Sequence, residues 1–325
     1  MEKNNLNILF NGPFAKLCID FITYKRSLGR KYISEMFGLI RFDKFTIKQN
    51  HKTNILSKEL ADEFVKIRPM ETQRNSIIRR ILLQQFAKYL SNLGNNAYIL
   101  PKLKSNKTSS FTPYIFSESE ISAFFKTADN YPPRTITPYM HLVLPVLFRI
   151  LYCCGLRISE ALNLKISDVN HDEGILTIRD SKCETSRLIP LSESLNNVCK
   201  DYAKKIHKNK TPNDYFFPAH DNSNLIRQDI VYHFRKLLWK SGISYKGKGI
   251  GPRIHDFRHT FAVYSLKKSI AEGKDIFAYL PILSVFLGHK SIAATQVYLR
   301  LTADSHPSII KQIEKYTSKI FPEGK

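Results

Sequence analysis

Apolar residues recur at helical spacing through most of this chain. Between Phe14 and about Tyr98 the pattern is clearest over Thr72 to Leu93, where Ile78, Leu82, Phe86 and Leu90 return every fourth residue and Gly94 follows as a stop. Arg74, Arg79, Arg80 and Lys88 are interspersed there, so residues 14–100 are expected to form a small helical bundle with basic exposed faces, behind a polar tail of residues 1–13. The run PKLKSNKTSSFTP from Pro101 is polar, basic and poor in large apolar residues, and residues 101–116 read as a linker. Ser117 and Glu120 then form an S-x-x-E capping box ahead of Ile121, Phe124, Phe125 and Ala128 at helical spacing, which starts a second domain over 117–303.

Within that domain Tyr139 to Tyr152 is too apolar for a surface helix and is expected to be buried. ILTIRD from Ile175 and SRLIPL from Ser186 read as two short strands around a turn at Cys183 to Thr185, and helices resume from Ser192. The tail, residues 304–325, has Pro307 near its start and carries Ile309, Ile313, Tyr316 and Ile320 on one helical stripe, which must be buried against something. The fold class is mainly α with a small β component, a helical N-terminal domain joined to a mixed α+β domain.

Charge narrows the partners. Lys plus Arg is 50 against 28 for Asp plus Glu, a formal net charge of +22, and the isoelectric point near 9.7 points to a polyanion, nucleic acid first. Anionic membrane is the rival, but no apolar run approaches the roughly 18 residues of a spanning helix, and MEKNNLNILF lacks a signal-peptide pattern. A cytoplasmic protein with no membrane association is expected. The five cysteines are odd in number and include no C-x-x-C pair, so neither a disulfide framework nor a metal site is indicated.

Candidate chemistry appears in chain order as Arg157, Lys182, His255, Arg258, His289 and Tyr298: cations or potential cations followed by a phenol. A phenol with a free pKa of about 10 attacks a phosphodiester only with a proton acceptor, fixed positive charge on the phosphate and an acid for the leaving oxygen. Arg157 opens the short helical string RISEALNL, and a guanidinium there can pair with Glu160 or fork onto two phosphate oxygens. His255 and Arg258 are three apart and share a helix face. His259 competes with His255, but its direction differs from that of Arg258 by about 100°.

The strings GLRISEALNL, RDSKCETSRLIPLS, HDFRHTFA and LGHKSIAATQVYLR together resemble the catalytic domain of the tyrosine recombinases, the phage-integrase family, over roughly Ser117 to Arg300. The resemblance implies that Tyr298 attacks a DNA phosphate to give a 3′-phosphotyrosyl intermediate. Arg157 and Arg258 clamp the phosphate, His255 and His289 surround it, Lys182 is the acid for the 5′ oxygen, and Glu160 braces the site. It implies no cofactor and no metal. The N-terminal domain becomes a core-binding clamp on DNA, with Arg74, Arg79, Arg80 and Lys88 as contacts, and the partners are double-stranded recombination sites and a tetramer of the chain itself, with accessory DNA-bending or excision factors left open. In the family the terminal helix docks on a neighbouring protomer; docking in cis is the alternative.

Some features depart from the family pattern. Ser181-Lys182-Cys183 stands where many members have Gly-Lys-Gly, Tyr298 is followed by Leu299-Arg300 rather than Thr-His, and the stretch from Ile270 to Pro281 is longer than in compact members. The leading expectation is integration, excision or transposition of a mobile element. A Xer-type chromosome or plasmid dimer resolvase, a type IB topoisomerase-like relaxing enzyme and a catalytically inactive DNA-binding protein are the other readings.

Overall fold

The computed structural model describes residues 9–102, 112–179, 186–245, 247, 250–289 and 291–303. They divide into two compact units, with the boundary at Ser109/Ser110.

The first unit is a helical bundle of α1 (Ala15–Ser27), α2 (Ile33–Lys48), α3 (Lys58–Val65) and α4 (Gln73–Asn92). Phe14, Phe21, Phe42, Phe64 and Phe86 meet at its centre, and their tilted and edge-on ring pairs fill the core with large apolar surface. The expected polar tail ends sooner than its composition suggests. Phe10 is buried, and the backbone N–H groups of Asn11 and Gly12 donate to the buried carboxylate of Asp43.

Helix α4 follows the predicted span closely, with Thr72 as its N-cap residue, and Gly94 beyond it has the positive φ of a chain reversal. Leu82, Phe86 and Leu90 are buried, but Ile78 is 54% exposed. A strict four-residue repeat drifts about 40° per step around a 3.6-residue helix, so its first member rotates out of the core while Leu83 and Ala87 take part in it.

The second unit begins with α5 (Glu118–Asp129), whose Ser117–Glu120 capping box forms as expected. Helix α6 (Met140–Cys153) is buried along nearly its whole length. It is followed by α7 (Ile158–Leu162), a short 3-10 turn at Ile166–Asp168, and three strands, β1 (Val169–Asn170), β2 (Ile175–Arg179) and β3 (Ser186–Pro190). The sheet is antiparallel in the order β1-β2-β3, with Val169 opposite Leu176 and Leu176 opposite Ile189. The β2–β3 pairing is the predicted hairpin, whose turn lies outside the described residues; β1 is too short to leave a period-two pattern.

Helices α8 (Glu193–Ile206), α9 (Arg227–Lys240) and α10 (Ile254–Ala271) complete the main core, where Phe124, Phe148, Phe234 and Phe257 pack together. Helices α11 (Ile276–Leu287) and α12 (Ala293–Ala303) cover the other side of α10. A separate apolar cluster there contains Val263, Leu266, Leu283, Leu287 and Tyr298.

Gly155, between α6 and α7, is a tight backbone position beside these helices. Its φ is +58°, and a Cβ added there would sit 2.7 Å from Phe261 and 2.9 Å from Leu287. Gly155→Ala therefore combines about 1–2 kcal/mol for a left-handed alanine with about 1–3 kcal/mol of overpacking, a loss of about 2–5 kcal/mol. Gly273 also has positive φ but faces open space, so Gly273→Ala should cost only the first part. Chemical denaturation of the two variants side by side checks the difference.

Candidate active site

Six segments of the second unit meet at one place: the turn before α7, strand β3, helix α10, the C-terminal end of α11, the loop after it, and helix α12. Arg258 is at the centre. Its side chain, on the first half of α10, is 1% exposed, and its two Nη groups donate to the carbonyls of Gly155 (2.8 Å) and Leu287 (2.6 Å). Burial lowers its pKa to about 10, with the Arg157 charge adding to the effect, so the guanidinium remains positive at neutral pH.

Arg157 precedes α7 and is half-buried. Its Nη2 donates to the Gly288 carbonyl at 2.8 Å and its Nη1 to Glu160 Oε1 at 2.7 Å, while the other Glu160 oxygen caps α7 by accepting from the Arg157 backbone N–H. The pairing with Glu160 considered from the sequence is thus present, and it holds the arginine toward Gly288.

Arg187, on β3, was missed by the sequence reading. Its Nη1 and Nη2 donate to the two oxygens of Glu160 at 3.2 and 2.9 Å, and its Nε donates to the Phe286 carbonyl at 2.9 Å. Burial alone would raise the Glu160 carboxyl, but the hydrogen bonds and charges of Arg187 and Arg157 outweigh it and hold the group below its ordinary range. Gly288 ends α11 in the left-handed conformation, and the Arg187 guanidinium occupies the space a Cβ would need there. The available signal was that SRLIPL reads as a strand with Arg187 on the same face as Ile189; nothing local says that this face meets Glu160.

His289 follows Gly288. Its Nδ1 is 2.8 Å from the hydroxyl of buried Thr295, and its ring stacks at 6.1 Å on that of Tyr298. This places the L-G-H…T-x-x-Y string in one cluster. Tyr298, on α12, is only 3% exposed. Burial raises its pKa from 10, while a hydrogen bond from Arg258 and the charges of Arg258 and Arg157 act in the opposite direction.

The two remaining histidines depart from the sequence expectation. The Nδ1 of His259 lies 3.0 Å from the Tyr298 hydroxyl, whereas the exposed ring of His255 stands edge-on to that of His259 with centroids 4.7 Å apart. His259 was set aside because it points away from Arg258. Relative to His255, however, it is one turn on, only about 40° around the helix, so both histidines line the same side of α10.

Lys182 lies outside the described residues, between β2 and β3. In the first unit, Arg74 and Lys88 are exposed on α4. Arg79 is instead turned inward, ion-paired with Glu71 and donating to the carbonyls of Phe64 and Lys66, and Arg80 donates to the Pro101 carbonyl. These two brace the bundle. Among the described residues no group of three His, Cys, Asp or Glu side chains could hold a metal ion, and no helix is long and apolar enough to cross a membrane.

Comparison with known proteins agrees with this geometry. Residues 115–305 match the phage integrase family. The chain belongs to that family, the tyrosine recombinases. The protein named integrase/recombinase y4rB of Sinorhizobium fredii is 30% identical over 311 residues, 93% of this chain and 97% of that one. The tyrosine recombinase XerA of Pyrococcus horikoshii is 32% identical over 203 residues, 62% of this chain and 61% of that one. Among solved structures, the XerH site-specific recombinase bound to palindromic difH substrate, a post-cleavage complex, shares the fold with a TM-score of 0.63 at 19% identity, covering 87% of this chain and 78% of that one. A lambda integrase dimer bound to a core site does so with a TM-score of 0.60 at 17% identity, covering 91% and 79%. As a tyrosine recombinase the chain is a DNA strand-exchange enzyme, and the mainly helical fold with its small sheet is that of the family's catalytic domains.

The electrostatics of this recombinase site predict its acid sensitivity. Desolvation by the surrounding protein, followed by neighbouring charges that include Arg258, pulls His255 and His289 to about 4; burial, then His255, Arg253 and Arg258, pulls His259 to about 3. The folded values lie below the unfolded one of about 6.5, so the unfolded chain binds more protons in between. The stability associated with neutral imidazoles is complete above pH about 6.5 and is lost as pH falls toward 4. Asp256, raised by burial, acts in the opposite sense above the ordinary carboxylate value and makes the slope shallower. The melting temperature should hold level above pH about 6.5 and fall between there and 4, and His289→Gln should flatten that slope.

Proposed function

We propose that the chain breaks and rejoins DNA strands at specific sites through a 3′-phosphotyrosyl bond to Tyr298, in the integration, excision or transposition of a mobile element. The observation that carries this reading is the meeting of Arg157, Arg258, His289 and Tyr298, from four separate segments, around the Gly155, Leu287 and Gly288 carbonyls. Phosphoryl transfer asks a protein mainly for positioning and for positive charge where the transition state becomes negative, and this cluster offers both. The two arginines clamp the phosphate, the histidines border it, and Lys182, between β2 and β3 in the sequence, protonates the departing 5′ oxygen. A 5′ hydroxyl from a partner strand reverses the step, so the phosphoester energy is kept in the covalent bond.

The relative that matches nearly end to end is named an integrase/recombinase, which supports the mobile-element role. The XerA and XerD relatives, 28–33% identical over shorter stretches, support dimer resolution as the second reading. A tetramer on two duplexes suits either role. In both, exposed Arg74 and Lys88 of the N-terminal unit are the better candidates for DNA contact, because Arg79 and Arg80 have internal partners.

Tyr298→Phe removes only the hydroxyl, so the variant should bind its DNA site as the wild type does and form no covalent adduct. Adduct of normal yield, seen as a protein–DNA band resistant to denaturant, would falsify the nucleophile. The apolar stripe of residues 304–325 lies outside the described residues; as the link between protomers it predicts that truncation after Thr302 preserves half-site binding but weakens cooperative assembly and strand exchange. Band-shift titration of half and full sites tests this, and undiminished cooperativity would contradict the link.

A further inference from the structure

We infer that His259, rather than His255, takes the proton from the Tyr298 hydroxyl. The inference rests on Tyr298 being the nucleophile and names the group that activates it. His259 Nδ1 stands 3.0 Å from the phenolic oxygen, within the reach a general base needs. Its other ring nitrogen, Nε2, faces Asp256 Oδ1 at 4.0 Å. Asp256 is completely buried and accepts from the Arg253 backbone N–H at 2.7 Å and from its guanidinium at 3.4 Å, so it presents acceptor oxygens. At 4.0 Å this oxygen is beyond hydrogen-bond reach, but its negative charge favours the tautomer with hydrogen on Nε2, which leaves the Nδ1 lone pair for the phenol.

Asp256, His259 and Tyr298 thus form a carboxylate, imidazole and hydroxyl series in which the carboxylate offsets the charge the ring acquires. Asp256 and His259 are three residues apart on α10, so the helix itself sets their spacing. His255 has a different setting: its ring is exposed and turned edge-on to that of His259.

In the forward step the phenolic O–H bond breaks as the O–P bond forms, and its proton moves to His259 Nδ1, giving an imidazolium. The bond from phosphorus to the 5′ oxygen breaks, that oxygen keeps the electron pair, and Lys182 supplies its proton. In the reverse step the incoming 5′ hydroxyl displaces the tyrosine oxygen, and His259 returns its proton to it. Without DNA the ring is a poor base, because burial and the neighbouring cations lower its proton affinity. A phosphate held between Arg157 and Arg258 brings negative charge beside those cations and raises that affinity as the attack begins.

The test is single-turnover adduct formation by the full chain on a nicked duplex selected with the wild-type protein from a random-sequence pool. His259→Ala should lose about 10²- to 10⁴-fold in rate, the usual worth of a general base. His259→Asn, which keeps a polar side chain without a basic nitrogen, should lose as much while binding the duplex normally. Both deficits should persist when the scissile 5′ oxygen is sulfur, because that substitution relieves only the acid. Fluorinated tyrosine at position 298, a more acidic phenol, should recover about tenfold or more in His259→Ala and little in His255→Ala.

Cleavage by His259→Ala or His259→Asn within about threefold of wild type, well short of a general base's usual worth, would overturn the assignment. So would recovery by the fluorinated residue confined to His255→Ala. Adduct formed by Tyr298→Phe would instead remove the nucleophile on which the inference rests. An inert Tyr298→Phe beside fully active His259 variants removes the role of His259 alone.

Discussion

The buried guanidinium of Arg258 is the interaction on which the rest of the catalytic unit depends. A cation enclosed to this degree costs several kcal/mol unless its donors are satisfied, and here they reach the carbonyls of Gly155 and Leu287. Those carbonyls belong to the turn that presents Arg157 and to the end of the helix that presents His289. The desolvation penalty of one side chain therefore fixes the relative positions of both. Two glycines make the approach feasible: Gly155 lets the chain turn where Phe261 and Leu287 leave no room for a Cβ, and Gly288 ends α11 directly against Arg187.

Around that centre positive charge is concentrated, and acids hold it in place from outside. Glu160 bridges Arg157 and Arg187, and Asp256 receives Arg253 and faces His259. The direct partners of Arg258 are backbone carbonyls, with the Glu160 charge acting on it from a distance. Desolvation first, and the remaining positive field after it, keep His255, His259 and His289 unprotonated in the absence of DNA, which leaves neutral imidazoles able to accept hydrogen bonds and protons. A dianionic transition state supplies the charge the cluster lacks, so the same field that adds to burial in lowering the histidine pKa values stabilises the reaction.

Much of this was legible in the linear chain wherever the signal was local. The Ser117–Glu120 box, the Gly94 stop, the β2–β3 hairpin and the face shared by His255 and Arg258 depend on residues within a few positions of each other, and backbone geometry alone relates them. Periodicity was less secure. Ile78 belongs to the repeat with Leu82 and Phe86, yet it lies outside the core because the accumulated angular drift had no tertiary contact to check it against. Arg79 counted as one of several surface cations until Glu71 and the carbonyls of Phe64 and Lys66 proved to surround it.

Residue types and their order along the chain determined the family, the two-part organisation and the short set of side chains from which an active site could be built. Only the tertiary structure decided how that set is connected. Arg187 acts on Glu160 from a strand 27 positions away in sequence, and His259 reaches Tyr298 across 39. Such pairs leave no spacing to read, because their partners are brought together by the packing of β3 with α7 and of α10 with α12 and not by the repeat of any one element. Hydrogen-bond direction and burial, which separate a proton acceptor from a bordering histidine one helical turn away, exist only once that packing has formed.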